Sequence, residues 1–311
     1  MSIYINEVSH YKPKHEVPNS FFKAVNGLDD EWIFQRTGIN TRLRASDGEN
    51  TNTMAVAAVK NLTKSLEGVD LIVGASYSPF DTVATIAHVV QEEFSLTGAK
   101  AVYISSACSS LINAIEIVEG YFAMNKASKA LVIAAEHNWA YSNPSDEKSG
   151  HLWGDGAAAL LLSKEKTSDE PEILNVYTEG LGDIGQGPKA VYLQPGRKGL
   201  VMPNGRDVFI NACDYMERGL VKVLENMSLK KEDLNYIIPH QANNRIISNL
   251  AARLSFDETK ICKNIDKYGN TGCASTAICF SEHWSSFEKG ALIGFTVFGG
   301  GYSCGAMLVK F

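Results

Sequence analysis

Several things are scarce in this sequence. No stretch approaches the ~20 consecutive apolar residues that a membrane-crossing helix needs. No run of Lys or Arg occurs and the formal charge is −6, whereas a protein that grips a nucleic-acid backbone carries net basic character. Nucleic acid and membrane are therefore not expected as partners. The first seven residues show no basic stretch leading into an apolar core, so no secretory signal is read there. Cysteine is sparse: six residues, at 108, 213, 262, 273, 279 and 304, lie scattered mostly beside apolar neighbours. In a chain of 311 residues they read as reduced thiols of a cytoplasmic protein, not a disulfide framework. No Cys/His cluster with ligand spacing surrounds Cys273 and Cys279, so no metal is expected. The composition, 45% hydrophobic and 21% charged, excludes a disordered or low-complexity chain.

Short apolar runs alternate with helical patterns. Residues 70–76, 101–105, 130–135 and 157–162 read as buried strands, and Leu111, Ile115, Val118 and Phe122 fall on one helical face. Strands separated by helices predict a mainly parallel α/β sheet. The polar stretch 163–171 reads as a linker, which divides the chain into halves at 1–166 and 172–311. Both halves share an order: a strand, a small-residue turn into a helix, then a Gly-rich turn into a strand. In the first half this runs through 68–73, 103–108 and 154–160; in the second, through 232–238, 264–275 and 299–308. Two copies of one unit, packed with their helix starts facing, would share one site.

Three residues stand out for chemistry. Cys108 follows a strand and small residues and precedes a helix, where bare N–H groups and the helix dipole favour the thiolate and lower its pKa. A buried structural thiol is the alternative reading. His240, in Pro239-His240-Gln241-Ala242-Asn243, sits where a strand ends and a helix begins, the usual place for active-site groups in α/β sheets. His88, His137, His151 and His283 lack such a frame and read as satisfied locally; His10 and His15 read as surface residues. Asn270, in Gly269-Asn270-Thr271, is ordinary turn chemistry taken alone, but falls near the place Cys108 holds in the other half. Residues 180–185 match G-x-G-x-x-G yet run into Gln186-Gly187-Pro188 instead of an amphipathic helix, so dinucleotide binding is rejected. Phe298-Gly299-Gly300-Gly301 differs, because consecutive glycines leave N–H groups free to approach an oxyanion.

With these residues set out, the chain resembles the β-ketoacyl-acyl-carrier-protein synthase III family, condensing enzymes of the thiolase superfamily. The blocks that carry the resemblance are residues 31–39 (Glu31-Trp32-Ile33-Phe34-Gln35-Arg36-Thr37-Gly38-Ile39), Ser106-Ala107-Cys108, Trp153-Gly154-Asp155-Gly156-Ala157, residues 239–243, residues 269–271 and residues 298–301. The resemblance implies the thiolase fold, a five-layered αβαβα arrangement of two similar halves, and a homodimer. It implies a Cys108–His240–Asn270 triad, an oxyanion hole made by the N–H groups of Cys108 and Gly300, and no metal or redox cofactor. It places Trp32 and Arg36 at the nucleotide of coenzyme A, Phe209 and Asn243 along the pantetheine tunnel, and Arg245 and Arg206 at the carrier-protein entrance. Acyl carrier proteins are acidic, so an enzyme of net charge −6 needs a local basic patch, which Arg245 and Arg253 on the helix after His240 would begin; an ordinary solvated helix face is the alternative for both. The implied reaction is a decarboxylating Claisen condensation: an acyl primer, from coenzyme A or acyl carrier protein, loads on Cys108 and meets malonyl-acyl carrier protein, starting a fatty acid. A specialised ketosynthase or acyltransferase of a secondary-metabolite pathway, of polyene or resorcinol type, is the alternative; a silent partner subunit is disfavoured by the intact triad.

The chain also departs from the family pattern. Ser109-Ser110 follow the nucleophile, Gly272-Cys273 replace Ser-Ala, and no Arg stands near Glu147, where the housekeeping enzymes place one on adenine. Val83 stands on the loop expected to cross the dimer and shape the primer pocket. Together these changes predict a carrier-delivered primer larger than acetyl.

Overall fold

The computed structural model describes residues 2–194 and 199–311. Its main sheet has nine strands among the described residues: β1 (Ile3–Tyr11), β2 (Leu71–Ala75), β3 (Lys100–Ile104), β4 (Lys129–Glu136), β5 (Gly156–Ser163), β6 (Glu172–Gly180), β7 (Tyr236–Pro239), β8 (Leu292–Gly299) and β9 (Ser303–Lys310). Across the sheet they run β7-β8-β9-β6-β1-β5-β4-β2-β3. From the centre outward, each half takes its first strand, then its last, then the one before, then its second. An isolated bridge, Ile237 to Ile261, lies beside β7 where β3 lies beside β2. At the seam between the halves β1 and β6 pair at Ile3 with Ile173 and Tyr4 with Glu172, and Trp153 bridges to Asn270.

The expectation of a mainly parallel sheet is corrected. β2 is parallel to β3 and β4, and β7 to β8, but β5 and β9 are antiparallel to both their neighbours. The reason lies in the connections. A parallel pair needs a crossover helix, whereas only a single 3-10 turn, Asn138–Ala140, lies between β4 and β5, and three residues separate β8 from β9.

Helices cover the sheet: α1 (Asp30–Thr37), α2 (Thr51–Lys60), α3 (Ile86–Glu93), α4 (Ser110–Ala123), α5 (Gly205–Asn226), α6 (Asn244–Leu254) and α7 (Ser275–His283). Strand β4 shows the logic of period two. Ala130, Val132 and Ala134 face a core shared with Leu111, Ile115 and Phe122 of α4 and Ile278 and Phe280 of α7. Leu131, Ile133 and Ala135 face an outer core with Met54 and Ala58 of α2 and Val90 of α3. The second half has its own outer core, from Met216 and Leu220 of α5 and Ile247 and Leu250 of α6. Helices therefore lie outside, between and outside the two half-sheets, which is the five-layered αβαβα thiolase arrangement. Truncating a fully buried member such as Phe122 to Ala would cost about 3–5 kcal/mol. The middle layer decides the site, because α4 and α7 both begin beside the seam between halves.

Candidate active site

A cavity of about 560 Å³ opens beside the starts of α4 and α6, and its walls include Cys108, His240, Asn270, Gly299 and Gly300. Cys108 stands on the turn between β3 and α4. Ala107 before it holds φ at +51°, a left-handed conformation costly for a residue with a Cβ. Close packing holds the turn: a Cβ on Gly299 would lie 2.8 Å from the Cys108 nitrogen and 3.1 Å from that of Ser109. Ser109 ties the turn to β9 through Ser303 Oγ at 2.7 Å, and Ser110 Oγ accepts the Ser106 N–H at 2.7 Å. The two serines that depart from the family pattern thus brace the nucleophile turn.

The backbone N–H groups of Gly300 and of Cys108 itself favour the Cys108 thiolate. The expected lowering of its pKa is nonetheless corrected. Burial pushes the thiol up to about 12, the Glu136 carboxylate adds to the rise, and the Tyr77 hydroxyl and the two N–H groups only moderate it. Burial outweighs the helix start, since α4 begins two residues later, at Ser110.

His240 follows the last residue of β7 and is buried. Its Nδ1 lies 2.8 Å from Ser275 Oγ, which also accepts the Gln241 N–H at 3.3 Å. With that N–H on the serine oxygen, the hydroxyl proton is free to point at Nδ1, leaving Nε2 as the protonated nitrogen. Burial lowers the imidazole to about 4, so it is neutral at physiological pH. Asn270 is held at every other polar group: its N–H donates to Leu152 O at 2.8 Å, its carbonyl accepts from Gly154 N at 2.9 Å, and its Oδ1 accepts from Gly272 N at 2.9 Å. Only its Nδ2 has no partner among the described residues.

Toward the mouth, Trp32 carries Arg36 over its ring at 5.0 Å and packs edge-on against His151 at 5.7 Å. Arg206, Phe209, Asn243 and Arg245 line the same cavity, with Arg245 Nε donating to Gln35 O at 2.9 Å. Four cations, Arg36, Lys148, Arg206 and Arg245, line the cavity, and no carboxylate does so among the described residues.

Some sequence expectations are not met. Arg253 does not extend the basic rim: its Nη2 is 2.9 Å from Asp214, its Nε binds Glu217, and these carboxylates of α5 offset its charge. Val83 does not line the cavity of its own chain; it is 82% exposed on an outer loop. Lys148, not Glu147, faces the cavity, so a cation stands where none was expected. The grounds for a roomy, carrier-only primer site are therefore missing from a single chain. His151 is not locally satisfied, since its buried Nδ1 has no partner, and His10 is half-buried against Ser281 at 2.8 Å. Residues 180–185 run into the 3-10 turn Gly187–Lys189, without the helix a dinucleotide needs. Among the described residues no three His, Cys, Asp or Glu side chains are arranged to hold a metal.

Tyr77, Glu136, His151 and Ser275 belong to the site or its support and were not singled out by sequence. Ser275 alone left a signal, as the last residue of the small-residue turn after Asn270.

Comparison with known proteins follows the same lines. Residues 103–181 match the family model described as 3-oxoacyl-[acyl-carrier-protein] synthase III, and residues 224–311 its C-terminal model. A β-ketoacyl-[acyl-carrier-protein] synthase III of Clostridium perfringens is 36% identical, covering 96% of each chain. One from Aquifex aeolicus is 34% identical over 97% of each. The crystal structure of 3-oxoacyl-[acyl-carrier-protein] synthase III from Aquifex aeolicus superposes with a TM-score of 0.92 at 32% identity, covering 99% of this chain and all of that one.

Proposed function

The chain belongs to the 3-oxoacyl-[acyl-carrier-protein] synthase III family, and we propose that it runs that family's condensation on Cys108, His240 and Asn270. The reaction joins an acyl primer to malonyl-acyl carrier protein with loss of CO2, the step that starts a fatty-acid chain. The observation that carries the assignment is the meeting, on one cavity wall, of the Cys108 sulfur and Gly300 with a neutral histidine and an asparagine amide.

In the first half-reaction the Cys108 sulfur attacks the primer thioester carbonyl. The N–H groups of Cys108 and Gly300 hold the oxyanion, the bond to the carrier sulfur breaks, and the thiol proton leaves with the carrier. In the second, Nε2–H of His240 and the Asn270 amide hold the malonyl thioester oxygen. The bond to the carboxylate breaks, CO2 leaves, and its electron pair becomes an enolate. The enolate carbon attacks the Cys108 thioester, the new C–C bond forms, the Cys108 C–S bond breaks, and the departing thiolate takes a proton from water. Thioester chemistry suffices for each step, so the proposal assigns no metal or redox cofactor.

The cationic, carboxylate-free lining supports a phosphorylated arm in the cavity. Trp32 and Arg36 would take the coenzyme A nucleotide, Phe209 and Asn243 the pantetheine, and Arg206 and Arg245 an acidic carrier protein. A homodimer is part of the same reading: Phe80 and Val83, 63% and 82% exposed, occupy a loop that a second copy would cover. Light scattering that returned the mass of one chain would overturn it. Six free cysteines fit a reducing, cytoplasmic setting, and no helix is long and apolar enough to cross a membrane among the described residues.

Intact-mass measurement after incubation with acyl-coenzyme A and acyl-carrier thioesters tests the assignment. One acyl adduct is expected on the wild type and none on Cys108→Ala, with condensation reduced at least ~10³-fold. His240→Ala and Asn270→Ala should still acylate but lose malonyl decarboxylation. An adduct retained by Cys108→Ala would sink the proposal.

A further inference from the structure

Tyr77 stands two residues beyond β2 and lines the cavity with Cys108. Its ring is fixed but its hydroxyl oxygen is buried and has no hydrogen-bond partner among the described residues. A buried hydroxyl left unpaired is costly, so it marks a place where a partner comes and goes. The Cys108 sulfur lines the same cavity, and the Tyr77 hydroxyl favours its thiolate over its thiol. Asn138, nearby, has its amide nitrogen committed: Nδ2 donates to Gly154 O at 2.7 Å and to Asn270 O at 3.2 Å.

The surroundings are built around this hydroxyl. Gly272 has φ of +57°, and a Cβ there would lie 2.5 Å from the Tyr77 oxygen and 2.8 Å from its Cε1. The glycine that departs from the family pattern thus supplies the space the phenol fills. From behind, Glu136 accepts the Tyr77 N–H at 3.3 Å and the Ser78 N–H at 3.1 Å, which fixes the backbone that carries the ring.

We propose that Tyr77 is a catalytic residue of this site, donating its O–H to the Cys108 sulfur whenever that sulfur carries negative charge. No proton is transferred: burial, then the neighbouring thiol, hold the phenol far above its usual ionisation, so it acts as a hydrogen-bond donor. The role answers a specific need. The N–H groups of Cys108 and Gly300 must turn to the substrate oxygen during attack, so they cannot also serve the sulfur throughout. The Tyr77 hydroxyl is the donor not claimed by the oxyanion. The inference rests on Cys108 as the acyl acceptor.

Tyr77→Phe keeps the ring and removes the donor. The readout is the rate of Cys108 alkylation by iodoacetamide against pH, followed by peptide mass, alongside loading from acetyl-coenzyme A. At each pH below the thiol's titration the alkylation rate should fall about tenfold, as should loading at neutral pH. Gly272→Ala, which drives a methyl into the hydroxyl's place, should slow alkylation in the same direction with the phenol still present. Profiles of both variants that superpose on the wild type overturn the proposal. So does an unmoved profile with altered acyl preference, which would make the hydroxyl a reader of the primer. Failure of the underlying reading looks different: Cys108→Ala would keep its acyl adduct.

Discussion

Glu136 is a fully buried carboxylate with no cation paired to it among the described residues, and only Ser76, Tyr77, Ser78 and Cys273 donate to it. Burial raises its pKa to about 7 despite those donors. The folded protein therefore keeps this proton where the unfolded chain, ionising near ~4.3, has lost it. Stability from this group falls as pH climbs from about 4.5 to 7 and changes no further above that, and Asp155, also raised to about 7 by burial, acts alike. His240 and His151, each lowered to about 4 by burial, act with the opposite sign: between about 4 and 6.5 the unfolded chain binds the proton, so acid weakens the fold. The two pairs offset one another, and His10 and His137, both also lowered by burial, add to the second pair, so the wild-type melting temperature should not fall as pH rises from 5 to 6.5. Glu136→Gln removes one opposing term, so its melting temperature should climb relative to wild type from pH 5 to 8, by the equivalent of roughly 2–3 kcal/mol. Parallel melting curves across that range would show that Glu136 is ionised throughout.

At the scale of elements, the site depends on β8 ending in a residue with no side chain. Gly299 is not in a left-handed conformation, so Ala there suffers only the 2.8 Å approach to the Cys108 nitrogen. Backbone atoms cannot swing aside, and the nucleophile turn must move. Gly299→Ala should lower stability by about 1–3 kcal/mol and slow acylation far more than that loss of folded protein explains, measured by denaturant titration and rapid-quench loading. Which elements were legible follows from the same physics. Residues 71–75 and 130–135 announce themselves because strands buried on both faces are continuously apolar, and α4 shows a clean 3.6 period. The shared order of the halves was readable because it lies in turn chemistry, at 106–108 and 269–275. Strand direction was not readable, since an apolar run looks alike either way up and only the missing crossover helix decides. Arg253 was misread because its carboxylate partners are far in sequence, on α5. Tyr77 left no mark at all: a lone aromatic in a loop gains meaning only when Gly272, 195 positions on, makes room for it.

At the scale of the whole molecule, a chain of net charge −6 carries four cations and no carboxylate on the described lining of its cavity. Long-range attraction then falls to a local patch working against the global charge, which makes it sensitive to screening; the Debye length shrinks from about 10 Å at 0.1 M salt to about 3 Å at 1 M. KM for a malonyl-carrier substrate should rise steeply with salt, and Arg206→Glu with Arg245→Glu should raise it further at low salt with kcat little changed. A short uncharged thioester should feel neither; equal salt dependence for both substrates would dissociate the patch from docking. The seam between halves has one more consequence. Ile3 pairs with Ile173, and Lys310 with Glu172, so β1, β6 and β9 meet side by side in the middle of the sheet, at one end of their strands. Both ends of the fold therefore lie beside the stretch that joins its halves. Cutting the chain within 164–171 and linking residue 310 to residue 3 through a short spacer would reverse the order of the halves without displacing a strand. The nucleophile would then be translated after its histidine and asparagine, yet the circular permutant should still acylate on the same cysteine.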